Sequence, residues 1–133
     1  MKPKMWYIKY KELINDVFEL ERKLFMKMDI YLLIKQKCNT NCLTPIEIKQ
    51  LNIDISHVFV RQIRILKKSC QSLTNEDVMF CCLKKLGFDN LVAGRSMGIA
   101  SRQAINQRKY RIRKKMNADG CKYLFDMIFL SDV

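Results

Sequence analysis

The sequence predicts an all-α protein, with a long N-terminal helix followed by a small helical bundle. Three observations carry this expectation. Only 4 Gly and 2 Pro occur in 133 residues while 49% of the residues are apolar, which supplies a core but not the frequent turns of an all-β layout. Apolar residues in the N-terminal third recur at heptad spacing. Beyond them, residues that start and stop helices punctuate the chain at short intervals. A chain of this length has room for one compact domain, or one small domain with a helical arm, and not for a large catalytic scaffold.

The heptad positions are Trp6, Tyr10, Leu13, Val17, Leu20, Leu24, Tyr31 and Ile34, a 4-3-4-3-4 spacing that slips only at Lys27. Such a run predicts a helix of roughly 30 residues, about 45 Å long at 1.5 Å per residue. Two arrangements satisfy it. The favoured one is a parallel coiled-coil homodimer through residues 5–37, making residues 1–40 a dimerisation arm. The other is a helix folded back on the rest of the chain, because Ile8, Ile14, Phe18 and Phe25 widen the stripe beyond a strict seam.

Polar Cys38-Asn39-Thr40-Asn41-Cys42 is expected to end that helix. Thr44-Pro45-Ile46-Glu47 then combines a cap threonine, a first-turn proline and a glutamate three residues on, which together satisfy the free amides of a short helix. Ser56 is expected to cap the next one, with Phe59, Ile63, Leu66 and Cys70 inward and Arg61, Arg64, Lys67 and Lys68 on a solvated outer face. His57, the sole histidine, falls near that start and reads as a cap or surface residue. Residues 41–72 are therefore connecting helices.

Residues 73–116 are the most informative. Thr74-Asn75-Glu76-Asp77 caps a helix with Val78, Cys82, Leu83 and Leu86 apolar, and Gly87 is placed to end it in the left-handed conformation. Asp89 can cap a short helix over 90–97, Gly98 can end it, and Ser101 can cap a third helix reaching about residue 116. Two short-linked helices with glycine in the turn match a helix-turn-helix. After a break at 117–120, the tail 117–133 carries Tyr123, Leu124, Phe125, Met127, Ile128, Phe129 and Leu130. That apolar surface is expected to be covered by the domain or across a dimer. Asp126 and Asp132 argue against membrane contact.

The formal charge is +12, and residues 100–116 hold seven Lys or Arg and no Asp or Glu. Phosphate binding needs cations gathered on one element, so this clustering points to nucleic acid. At 100° per residue, Ile105, Ile112 and Met116 form the buried stripe of the third helix. The opposite arc carries Gln103, Asn106, Gln107 and Tyr110, whose amides can pair with adenine edges, and these are the candidate base-reading residues. Ser101, Arg102, Arg108, Lys109, Arg111, Arg113, Lys114 and Lys115 are the candidate phosphate contacts. An ordinary surface helix would interleave acids for i,i+4 pairs, and none occurs here.

At these residues the chain also resembles the LuxR-type helix-turn-helix of bacterial response regulators, itself similar to region 4 of sigma factors. The likeness covers roughly residues 73–116. Leu73-Thr74 with Glu76, Leu86-Gly87-Phe88, Met97-Gly98-Ile99 and the basic run from Arg108 to Met116 carry it. It is similar to a branch in which this output domain follows tetratricopeptide repeats and a coiled coil. The resemblance implies a transcriptional regulator that reads duplex DNA through Asn106, Gln107 and Tyr110. Two departures stand out. The Ile-Ala pair of the family's second helix falls on Ala93-Gly94 counted from Gly98, or on Val92-Ala93 counted from Asn90. The interval from Ile99 to Ile105 is one residue longer than usual, so either the turn is looser or Gly94 lets the two helices approach closely.

The expected partners are double-stranded DNA, a second copy and RNA polymerase. Cys38, Cys42, Cys70, Cys81, Cys82 and Cys121 form no CxxC pair, so no zinc site, metal or other cofactor is expected. No apolar run approaches about 18 residues, and the N-terminus has no signal-peptide pattern, so a cytoplasmic chain is expected. Paired carboxylates, a phosphate-cradling glycine loop and a nucleophile with a partner histidine are all missing, which argues against an enzyme. The competing reading is a helical protein–protein adaptor whose basic helix only confers solubility.

Overall fold

A computed structural model describes residues 5–129, and within them the chain forms eight α-helices and no strand. The N-terminal residues 1–4, and Leu130 and Asp132 of the expected tail, lie outside the described residues.

The expected continuous N-terminal helix is two helices, α1 (Met5–Phe25) and α2 (Asp29–Lys37). The break comes where the heptad slips. Met28 is extended at φ −88°, ψ 151°, and Lys27 stands where a continuous seam would need an apolar side chain. What α1 buries also differs from the heptad: Ile14, Phe18, Glu21 and Phe25 face inward, and α1 packs on the two helices that follow α2, over residues 45–58 and 60–69. Trp6, Leu13, Leu20 and Leu24 stay at least half exposed. The N-terminal segment is thus folded back as part of the bundle, and α2 turns to bury Ile30 and Ile34.

Helix α3 (Pro45–Val58) starts as its sequence requires, with Thr44 and Glu47 forming a reciprocal capping box and proline in the first turn. It runs to 14 residues, so Ser56 lies inside it and caps nothing, and His57 sits exposed in its last turn. Only Phe59 separates it from α4 (Val60–Ser69), which has no side-chain cap of its own. The buried carboxylate of Glu21 on α1 supplies one, accepting hydrogen bonds from the backbone amides of Arg61 and Gln62, each at 2.9 Å. A carboxylate there meets both the free amides and the positive end of the helix dipole.

Helix α5 (Asn75–Lys85) is the axis of the fold. Every residue from Asp77 to Lys84 on it is buried, and α3, α4, α6 and α8 all touch it. It ends at Gly87, whose φ of +94° is the left-handed geometry of a helix stop. Helix α6 (Asn90–Ser96) is capped by Asp89, and α7 (Arg102–Ala118) by Ser101, with Gly98 at φ +80° between them. Helix α8 (Lys122–Phe129) lays Leu124, Phe125, Ile128 and Phe129 against α5 and α7, which covers the apolar tail within this range.

Candidate nucleic-acid interface

Helix α7 presents three faces. Ile105, Ile112 and Met116 are fully buried and fix it to the bundle. The approach to α6 is close because of Gly94: a Cβ placed there would collide with Cδ1 and Cγ1 of Ile105. A side chain at 94 would push the two helices apart.

A second face is tied down by one acid. Asp77, its side chain only 4% exposed, accepts from Arg108 at 2.8 Å and from Lys115 at 2.7 Å. It also caps α5 by accepting from the backbone amide of Thr74 at 3.0 Å. Burial alone would raise the Asp77 pKa, but the hydrogen bonds from Lys115 and Thr74 outweigh it and hold the carboxyl below its ordinary value. Two of the candidate phosphate contacts, Arg108 and Lys115, are therefore turned inward as a brace between α5 and α7.

The third face is open. Arg102, Gln103, Asn106, Gln107 and Tyr110 line one shallow groove along α7, and Tyr110 is 61% exposed. All four candidate base-reading residues are thus brought together on one exposed arc. Arg111, Arg113 and Lys114 are exposed beside them. Aromatic rings steer several of these cations. The Lys114 ammonium lies 5.4 Å from the Tyr110 ring, Arg113 lies 5.9 Å from Phe125, and Lys109 lies 5.9 Å from Phe129. Phe125 and Phe129 are stacked, with centroids 4.4 Å apart. In this way α8 positions the cations on one flank of α7. Ser101 is exposed, and its hydroxyl accepts from the amide of Ala104.

Two residues that organise the bundle escape a reading of the sequence. Asp77 reads as one more cap residue, and its i+3 spacing from Thr74 is the only local signal that it matters. Glu21 carries no signal, since its partners lie 40 and 41 residues away. Five of the cysteines are buried and favour the neutral thiol. Burial pushes the Cys70 thiol up to about 12 and raises Cys38, Cys81, Cys82 and Cys121. Among the described residues, no group of three His, Cys, Asp or Glu side chains is placed to hold a metal ion, and no helix is long and apolar enough to cross a membrane. No family model, curated protein or solved structure matches the chain.

Proposed function

We propose that α6 and α7 form a helix-turn-helix that binds double-stranded DNA sequence-specifically, with α7 in the major groove, and that the protein acts as a transcriptional regulator. The observation that carries this reading is the outer face of α7. It sets amide and phenol side chains along one groove, flanks them with exposed Arg and Lys, and bears no acid. Amides can read base edges, and the flanking cations can hold the sugar-phosphate backbone. Of the eight candidate phosphate contacts, Arg102, Arg111, Arg113 and Lys114 are exposed and can serve in this way, while Arg108 and Lys115 tie the helix to α5 through Asp77.

The test is fluorescence anisotropy on one selected and one scrambled duplex across a salt series. Arg113→Ala with Lys114→Ala should weaken both complexes nearly equally and flatten the log–log salt slope by up to about two units, at roughly 0.9 per lost contact. Asn106→Ala and Gln107→Ala should instead each lose about 1–3 kcal/mol on the selected duplex alone. An unchanged slope in a folded double variant would remove α7 from DNA. The adaptor reading would then come first, and the exposed apolar residues of α1 are the observation in its favour.

A further inference from the structure

Helix α1 carries two apolar stripes, and the bundle uses one. Ile14, Phe18 and Phe25 point inward with Glu21. Seven of the twelve large hydrophobic side chains exposed in the described residues also lie on this helix. Trp6, Tyr10, Leu13, Leu20 and Leu24 among them, with half-buried Val17, make a row at alternating three- and four-residue spacing. At 100° per residue this row runs about 95° around the helix from the inner one. It extends for about 27 Å at 1.5 Å per residue. A stripe that keeps heptad spacing over this length fits knobs-into-holes against another helix with the same spacing.

We infer that this outer stripe is a homodimer seam in which the α1 helices of two copies run antiparallel about a twofold axis. Charge picks out both the occupant and the direction. Along the solvent edge of the stripe stand Lys9, Asp16 and Lys23, one per heptad, all exposed. In a parallel pair this edge would face the positions of Tyr7, Ile14 and Glu21, of which Ile14 and Glu21 are already buried in their own chain. In an antiparallel pair the edge faces its own copy. The register that sets Asp16 against Lys23 of the second copy forms that pair twice by symmetry. The same register brings Leu13 against Leu24 and Val17 against Leu20 of the second copy, so four apolar layers agree with the charges, and Trp6 and Tyr10 lie beyond the overlap, opposite the break that follows α1. Sliding by one heptad to align the stripe centres would oppose Asp16 to Asp16 and Lys9 to Lys23, and like charges reject it.

The experiment is sedimentation equilibrium on the full chain without DNA, which keeps the outcome independent of what α7 binds. The wild type should be a dimer. Leu13→Asp with Leu20→Asp should be a monomer that still melts cooperatively, because neither side chain is in the core, though below the wild type, whose association adds stability. Asp16→Lys should weaken the dimer by about tenfold or more, since two attractive contacts become repulsive. Lys23→Glu should also weaken it, and Asp16→Lys with Lys23→Glu together should restore the wild-type dissociation constant. A monomeric wild type, a Leu13/Leu20 variant that still dimerises, or a double charge reversal that fails to restore affinity would each overturn the proposal. A monomer that still reads DNA would leave the α7 reading standing, and a dimer that ignores DNA would leave the seam standing.

Discussion

Asp77 shows how much of the arrangement around α7 can depend on one side chain. It joins two helices at three points: the cap of α5 through Thr74, and two turns of α7 through Arg108 and Lys115. The buried Nε of Arg108 has no hydrogen-bond partner, so that guanidinium relies on Asp77. Removing one member of a buried charge cluster leaves the others uncompensated. Asp77→Asn is therefore expected to cost about 2–4 kcal/mol at neutral pH, toward the lower end because Lys115 is partly solvated. The pH dependence has a definite sign. The folded carboxyl sits below its ordinary value, so its contribution is fully present above the unfolded value of about 3.9. That contribution is lost as pH falls through the lower folded value. Thermal melts should show wild type and Asp77→Asn converging in strongly acidic buffer. A gap as wide at pH 3 as at pH 7 would mean that the pairs contribute no stability.

Among the helices, the contact of α6 with α7 is set by the absence of a side chain at Gly94. Gly94→Ala favours a helical backbone locally, yet its methyl would meet the Ile105 side chain. Overpacking of this kind costs about 1–3 kcal/mol, a loss of several degrees in a melt. Gly94→Ala should cost less in an Ile105→Val background than in the wild type, because the second change removes Cδ1, one of the two Ile105 atoms that collide. If the single variant is as stable as the wild type, the two helices are not in forced contact. This element also shows what a sequence can and cannot reveal. The starts of α3, α5, α6 and α7, and the glycine stops after α5 and α6, are local chemistry and could be read directly. So could the exposed arc of α7, because its period relative to Ile105, Ile112 and Met116 leaves only one side outward. Local reading failed for α1, where two stripes with the same period compete and the heptad row is the one left outside. It failed again for α4, whose cap comes from another helix, and it did not show the pairing of Arg108 and Lys115 with an acid on α5.

At the scale of the whole molecule, α1 and α2 belong to the bundle. A chain shortened to begin at Leu43 would lose Ile14, Phe18, Phe25, Ile30, Ile34 and Cys38 from the core. Core truncations of this type cost several kcal/mol each, against a total stability of about 5–15 kcal/mol. The shortened chain should therefore show no cooperative melting transition. A sharp transition near that of the full chain would make residues 5–37 an appendage. The Glu21 cap carries this dependence further, into the order of folding. Two hydrogen bonds close a loop of 40 residues, so the amides at the start of α4 gain partners only once α1 has docked. Native-state hydrogen exchange should then find α1 and the first turn of α4 opening together as one unit, although they are far apart in the chain.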